Sequence, residues 1–355
     1  MKSLGIVGTG QLGWMMILEG RKLNLEFSVI GSDPEAPASR IANKFYHNEQ
    51  YREFVDNCDM ITPEFEHVDR RILEYAEAQG KLAPGTKSLD LKLERHLEKL
   101  YLRNIGIPVA DFFVAEDSQS ALDLSSRFEE SIIKTSKGGY DGKGQFHVKH
   151  GEKPDLPGDQ IYVVEKFIPF DFEASLIAAR TMDKHIFFNQ PSYNYNENGI
   201  LLYNYAPCDD YGMREKAERL LERLDYVGVM GIEFFIKDGK SMVNEFAPRV
   251  HNSGHHTLSG SNISQFEQHI RCVLDLPMHE PVLLTHSGII NILGKEINEK
   301  LTRNILSIPG TLLYNYGKQA LPRRKVGHVN VTASSSEQLL SRLLDIKRII
   351  YPVTG

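Results

Sequence analysis

The stretch KTSKGGYDGKGQ, residues 134–145, follows a short strand-like run at 131–134 and carries Gly138, Gly139, Gly142 and Gly144 interleaved with Lys137 and Lys143. Such a loop has little ordered structure of its own, but its N–H and ammonium groups can close over a triphosphate. It is not a Walker loop, since G-x-x-x-x-G-K-[ST] is absent. The bland alternative is a solvated hairpin tip. Loop function can depend on that same mobility, and the expectation is a nucleotide lid over about residues 134–146.

Upstream, residues 4–7 form an apolar run that meets GTGQLG at 8–13, followed by a helical pattern through residue 18. A second strand at 27–30 ends at Gly31-Ser32-Asp33-Pro34, and a third lies at 59–62. Strands alternating with helices predict a small parallel, doubly wound sheet. Near Pro84 the texture changes. Residues 89–105 read as one charged amphipathic helix ended by Gly106 and Pro108. Strand-like runs follow at 131–134, 161–165 and 173–179. Runs at 228–236 and 241–246 flank Asp238-Gly239, a strong hairpin signal. A helix is expected at 264–274, then short strands at 288–293 and 327–331 and a terminal helix from Glu337. A chain of 355 residues exceeds one compact core. The reading is α/β (α+β overall), with domains at 1–88, 89–285 and 286–355.

GTGQLG matches G-x-G-x-x-G between a strand and a helix, where a helix N-terminus presents unpaired N–H groups to an anion. Asp33 lies about where a dinucleotide fold places its ribose-binding acid. Three readings stand: an NAD site, a tight turn without a ligand, and a seat for a phosphate-bearing substrate. The last is preferred, because the rest of the chain does not point to hydride transfer.

Glu233 and Glu245 sit on the two strands of the Asp238-Gly239 hairpin. A two-residue turn pairs Glu233 with Asn244 and sends Glu245 to the opposite face. A three-residue loop closed by a left-handed Gly239 shifts the ladder by one and makes the glutamates diagonal neighbours on one face. Two carboxylates so placed repel unless a cation lies between them, and Mg²⁺ carried in by ATP phosphates is the natural one. The alternative is a solvated pair, but Ile232, Phe234, Phe235, Val243 and Phe246 suggest that both faces are covered. Next comes APRVHNSGHH, 247–256: Arg249 can clamp an anion, and His251 and His255 can act as acid or base near neutral pH. A structural turn is the competing reading.

Composition bounds the partners. With 41% hydrophobic and 25% charged residues and a net charge of −6, neither disorder nor a nucleic-acid surface is expected. Cys58, Cys208 and Cys272 lie far apart with no CxxC pair, which fits a reducing compartment. No signal peptide and no membrane span are read. The expectation is a cytoplasmic enzyme.

GTGQLG, DMITPEFEHV around Glu64, GGYDGKGQ, GVMGIEFF, VNEFAPRVHNSGHHT and RRKVGH at 323–328 occur in this order over nearly the whole chain. Together they resemble the ATP-grasp superfamily and, within it, the 5-(carboxyamino)imidazole ribonucleotide synthases of bacterial purine biosynthesis. The resemblance implies an ATP-grasp fold with a Rossmann-like pre-ATP-grasp domain and a small β-rich C-terminal domain. It implies that adenine and ribose lie against Lys134, Glu165, Lys166, Phe167, Ile168 and Glu173. Arg95 and Lys134 would hold phosphates under a loop of Gly139, Tyr140, Asp141, Gly142, Lys143, Gly144 and Gln145. Asn244 and Glu245 would sit by the nucleotide, with Glu233 and Glu245 on magnesium. The acceptor 5-aminoimidazole ribonucleotide would contact Gln11, Leu12, Tyr140, Asp141, Asn252, Ser253, Arg324 and Lys325. Bicarbonate would be activated as carboxyphosphate, with Asp141, Lys143, Arg249 and His251 in catalytic roles. A homodimer is implied by the same resemblance. One departure is Ala247, where many ATP-grasp enzymes carry asparagine, so the metal is expected to keep more water. Competing functions are a sister ATP-grasp ligase or carboxylase, an NAD-dependent oxidoreductase and a non-catalytic nucleotide-binding regulator.

Overall fold

The protein is described from a computed structural model covering residues 2–138, 143–158 and 160–352. Parallel strands are covered on both faces and read as apolar runs. Here β1 (Ser3–Val7), β2 (Glu26–Gly31), β3 (Lys44–His47) and β4 (Met60–Pro63) form a parallel sheet in the order β3-β2-β1-β4. Leu4, Ile6, Phe27 and Val29 face Met15, Met16 and Ile17 of the helix Gln11–Arg21. Val7, Ile30 and Ile61 pack on the other side against Phe54, Val55, Ile72 and Leu73. The doubly wound expectation holds.

The single helix expected at 89–105 is two, Thr86–Leu93 and Arg95–Asn104, broken at Glu94 with φ −129° and ψ 111°. A continuous helix would spend the Arg95 N–H on an intrahelical carbonyl. Instead it donates to the Ser136 carbonyl at 2.9 Å, and Arg95 Nη1 donates to the Thr135 carbonyl at 2.6 Å. The break therefore ties the helix to the root of the glycine loop. That loop joins two strands of a four-stranded antiparallel sheet, β5 (Phe112–Ala115), β6 (Glu130–Thr135), β7 (Gln145–Lys149) and β8 (Tyr162–Lys166), ordered β5-β8-β6-β7.

The large sheet comprises β9 (Phe172–Arg180), β10 (Ile186–Phe188), β11 (Ser192–Glu197), β12 (Ile200–Ala206), β13 (Gly228–Lys237), β14 (Lys240–Ala247), β15 (His286–Leu293), β16 (Thr311–Asn315) and β17 (Lys325–Ala333). Its path is β14-β13-β9-β11-β12-β15-β17-β16, with β10 beside β9. The strands after residue 286 thus extend this sheet through β12 and β15, and the helix Ser336–Ile350 covers them with Leu339, Leu343 and Ile346. Leu220 and Leu221 of the helix Met213–Leu224 pack on one face, against Leu176 and Met230. On the other, Phe266 and Ile270 of the helix Gln265–Val273 share one apolar cluster with Ile177, Val229, Leu4 and Met15. Gly20 is needed at this join. A Cβ there would lie 2.2 Å from Phe27 Cζ and 2.9 Å from Ile270 Cδ1.

The β13–β14 hairpin resolves the question of register. Lys237 pairs with Lys240 across Asp238 and Gly239, whose φ values of 49° and 71° are both positive, as a two-residue twisted turn requires. The ladder runs to Phe234–Val243 and then shifts, so that Glu233 pairs with Glu245 and Asn244 is the extra residue of a β-bulge. No three-residue loop forms. The bulge supplies the one-residue slip, and the glutamates stand directly opposite rather than diagonal.

A Cβ on Gly239 would meet nothing within 4 Å, so a Gly239→Ala change isolates the strain of the left-handed backbone. Urea unfolding is expected to show a loss of about 1–2 kcal/mol. A loss several times larger would mean that the turn had changed type and dragged the bulge with it.

Candidate functional site

The side chains brought together lie in a cleft of about 280 Å³ between the four-stranded sheet and the large sheet. Lys134 enters it from β6, Gln145 from β7, and Glu165, Lys166, Phe167 and Ile168 from the end of β8 and the linker after it. Glu173 comes from β9, Arg95 from its helix start, and Glu233, Asn244 and Glu245 from the bulged hairpin. His251, Asn252 and Lys325 close the far side. Residues scattered over more than two hundred positions therefore share one space.

Charge inside it alternates. Lys134 Nζ lies 3.0 Å and Lys99 Nζ 3.3 Å from the same Glu165 oxygen, all three buried. Burial alone would raise the Glu165 carboxyl, but the two ammoniums hold it at about 2. Burial also pulls Lys134 below its ordinary value, against the attraction of Glu165. Glu173 is raised by burial and accepts from Asn196. At the hairpin, burial and the facing Glu245 push Glu233 to about 8. Glu245 goes the other way. Burial opposes its charge, yet the Lys92 ammonium at 2.6 Å holds it well below the usual carboxylate range.

Hard divalent cations take oxygen ligands, and this pair fits one. Two carboxylates face each other across a ladder inside the cleft, and burial and the facing Glu245 raise one of them, Glu233, well above the usual carboxylate range. Among the described residues no group of three or more His, Cys, Asp or Glu side chains is gathered for a metal. The remaining ligands would therefore come from phosphate oxygens and water.

His251 is buried and held by its neighbours. Its Nδ1 accepts from the Ser253 N–H at 3.4 Å and lies 2.8 Å from Ser253 Oγ, and its own N–H donates to Gln265 Oε1 at 2.9 Å. Burial, then Arg249, depress its pKa to about 3. The ring is neutral at pH 7. With Nδ1 accepting, the hydrogen is on Nε2, 3.7 Å from Glu233 Oε1. Gly231 makes room for it, since a Cβ there would lie 2.3 Å from His251 Cβ. Ser253 is fully buried and its hydroxyl is spent on His251. Asn252 Nδ2 is buried beside the cleft with no hydrogen-bond partner among the described residues.

Other anticipated residues sit elsewhere. Arg249 Nε lies 3.1 Å from Glu66 Oε1, with its guanidinium 5.2 Å over the Phe65 ring. Leu12 is packed in the apolar core, Gln11 accepts from Lys318 Nζ, and Arg324 is exposed. Gly144, at φ +66°, gives its carbonyl to the Thr135 N–H at 2.8 Å, and Lys143 is exposed beside it. Gly139, Tyr140, Asp141 and Gly142 lie outside the described residues.

At the glycine turn of residues 8–13, the Gly10 and Gly13 amides already hold an anion of the chain itself. Glu64, following β4, accepts from the Gly10 N–H and from the Gly13 N–H at 2.7 Å. A Cβ on Gly8 would lie 2.4 Å from Glu64 Cγ, and one on Gly10 2.8 Å from its Oε1. The glycines admit a carboxylate side chain where a dinucleotide fold admits a pyrophosphate.

Sequence reasoning missed Lys92, Glu98, Lys99, Asn196 and Lys318. The first three lie in the stretch read only as a charged amphipathic helix, yet Glu98 and Lys99 are each 1% exposed. Lys318, which burial draws down to about 8, lies in a loop with no motif around it.

A carboxyl that folding raises binds its proton more tightly in the native state, so its contribution to stability is lost as pH climbs from the unfolded value of 4.5 to about 8. Metal-free Glu233→Gln is therefore expected to gain on wild type between pH 5 and 8, by at most about 1.4 kcal/mol per pH unit, and then level off. Thermal melts in chelator across pH 5–9.5 test this. A pH-independent difference would show that Glu233 is ionised throughout.

Comparison with known proteins supplies the family. Residues 1–92 match the ribonucleotide synthetase preATP-grasp domain, 100–266 the ATP-grasp domain, and 287–342 the phosphoribosylaminoimidazole carboxylase C-terminal domain. The N5-carboxyaminoimidazole ribonucleotide synthase of Saccharolobus solfataricus is 46% identical over 353 residues, covering 98% of this chain and 96% of that protein. The phosphoribosylaminoimidazole carboxylase ATPase subunit of Aquifex aeolicus superposes with a TM-score of 0.87 at 40% identity, covering 98% of this chain and 99% of that one. An Aspergillus clavatus N5-carboxyaminoimidazole synthase in complex with ADP and 5-aminoimidazole ribonucleotide gives a TM-score of 0.87 at 28% identity, covering 98% of both. With three domain models matched in order along it and a relative 46% identical over 98% of its length, the chain belongs to the N5-carboxyaminoimidazole ribonucleotide synthase family of the ATP-grasp enzymes.

Proposed function

We propose that the chain carboxylates the amine of 5-aminoimidazole ribonucleotide with bicarbonate and ATP, giving 5-(carboxyamino)imidazole ribonucleotide, ADP and phosphate in purine biosynthesis. The observation that carries this is the convergence, in one cleft, of a cationic nucleotide wall, a facing carboxylate pair and the His251–Asn252–Lys325 rim. The names of the relatives supply the acceptor.

In this reading Glu165, Lys166, Phe167, Ile168 and Glu173 take adenine and ribose, with Asn244 beside the nucleotide. Arg95 and Lys134 hold the phosphates, and Gly139, Tyr140, Gly142, Gly144 and Gln145 close over them. Glu233 and Glu245 would hold magnesium, which neutralises charge at the phosphates. A bicarbonate oxygen attacks the γ-phosphorus, the bond to the β–γ bridging oxygen breaks, and ADP departs from carboxyphosphate. The acceptor amine then attacks the carboxyl carbon, either of carboxyphosphate as phosphate leaves or of the CO₂ that carboxyphosphate releases with phosphate, and the nitrogen gives up a proton. Asp141 holds that proton, Lys143 supports the anion, and Arg249 balances charge from its brace on Glu66. His251, neutral with its hydrogen on Nε2, donates to the reacting carboxyl group. Asn252 and Lys325, at the rim of the cleft, would cradle the acceptor, with Gln11, Tyr140, Arg324 and Lys318 completing its seat, while Leu12 and Ser253 act from behind, by packing and by holding His251. Positioning and exclusion of water do most of the work.

We place the domain limits at 1–88, 89–285 and 286–355, a division that the family matches at 1–92, 100–266 and 287–342 support. Family likeness supports a homodimer, and the unpaired Cys58, Cys208 and Cys272 support a cytoplasmic setting.

Phosphate release from MgATP in bicarbonate buffer is expected to rise strongly when 5-aminoimidazole ribonucleotide is added, with labelled bicarbonate entering an acid-labile product. Stimulation by another acceptor alone would move the chain to a sister ligase activity. Asp141→Asn is expected to lower kcat by about 10²–10⁴-fold while ADP affinity stays unchanged; unaltered turnover would remove Asp141 from the mechanism.

A further inference from the structure

Beneath the carboxylate pair lies a charge that the reaction above does not use. Lys92, at the end of the helix Thr86–Leu93, is 17% exposed and directs its ammonium at two carboxylates. Nζ is 2.6 Å from Glu245 Oε2 and 3.3 and 3.2 Å from the two oxygens of Glu98. Glu98 is fully buried and fixed, because its Oε1 also accepts from the Phe246 N–H at 2.8 Å. Glu245 is more open by comparison, its side chain 41% exposed.

We propose that the Lys92 ammonium is the resident cation of the Glu233–Glu245 pair, and that a divalent ion enters by taking Glu245 from Lys92, which withdraws onto Glu98. The inference rests on the metal-binding reading of that pair. Its logic is charge and geometry. Three carboxyl groups, Glu98, Glu233 and Glu245, gather around the one ammonium of Lys92, so this corner is short of positive charge and a divalent ion supplies it. Lys92 and that ion draw on the same carboxylate, so each weakens the other's hold on Glu245. Glu98 gives the displaced ammonium a partner about 3.2 Å away, which avoids stranding a buried charge. Lys92 is thus a positioning residue that sets how tightly the empty protein holds free metal, and it favours entry of the ion together with a polyphosphate.

The test uses Mn²⁺ as the probe, with binding to the full chain followed by electron paramagnetic resonance with and without ADP. Lys92→Met is expected to bind Mn²⁺ without nucleotide about tenfold more tightly than wild type, since a unit positive charge a few ångströms away is gone. Lys92→Arg keeps the charge and is expected to stay near wild type. Affinity in Lys92→Met equal to or weaker than wild type would overturn the proposal. A Lys92→Met protein that folds only with added Mn²⁺ supports it, because the ion replaces the missing charge. Failure to fold with or without Mn²⁺ overturns it, since the lysine is then needed for packing. If wild type binds no Mn²⁺ even with ADP, the metal reading itself falls. If ADP-dependent binding is intact and is lost in Glu245→Gln, yet Lys92→Met changes nothing, only the role of Lys92 falls.

Discussion

Glu233 and Glu245 are held face to face by backbone hydrogen bonding, and like charges directly opposed on a sheet repel. The floor of the cleft is built around that repulsion. Lys92 lies against Glu245, Glu98 against Lys92, and Lys99 beside Glu165, which also carries Lys134. Anion and cation alternate, because a buried charge without a partner is far more costly than a paired one. The helix break at Glu94 belongs to the same arrangement. It separates the helix end bearing Lys92 from the one bearing Glu98 and Lys99, and it turns Arg95 onto the root of the glycine loop. The nucleotide wall and the carboxylate pair are thereby tied to one short segment of chain.

The hairpin sets the opposite rim as well. The bulge at Asn244 brings Glu245 round to the face of Glu233, and two residues before Glu233 the bare Gly231 lets the His251 ring settle on β13. Ser253 holds that ring and Gln265 holds the backbone beneath it, and Gln265 begins the helix that also packs against the first sheet. A side chain chosen for packing and one chosen for chemistry thus lie a few residues apart on the same elements. Small displacements of the hairpin would be felt on both sides of the cleft.

Much of this was legible in the sequence, for specific reasons. The parallel strands announced themselves as apolar runs next to glycine turns, and Asp238-Gly239 required its two positive φ values. Glu233 and Glu245 stood out because they interrupt apolar surroundings, Lys134 because it leads into the glycine loop, and His251 because it follows Arg249 in a run rich in histidine. Register did not. A bulge adds one residue without any composition signal, so two turn lengths were weighed when the slip came from Asn244. Nor could Lys92, Glu98 and Lys99 be found. At helical spacing a lysine and a glutamate look like solvated surface, and only the sheet laid against that helix buries them. The strands after residue 286 could be seen as strands, but their membership of the large sheet depends on the β12–β15 pairing, which spans more than eighty residues.

GTGQLG shows the same limit from the other side. Its local geometry was read correctly: a strand, a glycine turn and a helix N-terminus offering free N–H groups to an anion. What the motif does not specify is where the anion comes from. Glu64 reaches those amides from β4, a neighbour in space and fifty residues away in sequence, and the turn glycines fit around its carboxylate. Burial favours the neutral acid, while the Gly10 and Gly13 N–H groups favour the charged one. The seat that would bind a pyrophosphate here binds the first sheet to itself. Lys318, drawn toward Glu64 and hydrogen-bonded to Gln11, then presents a cation at the edge of the same turn. The motif has kept its electrostatics and exchanged its ligand, and for that reason a dinucleotide reading fails here although every residue of the pattern is present.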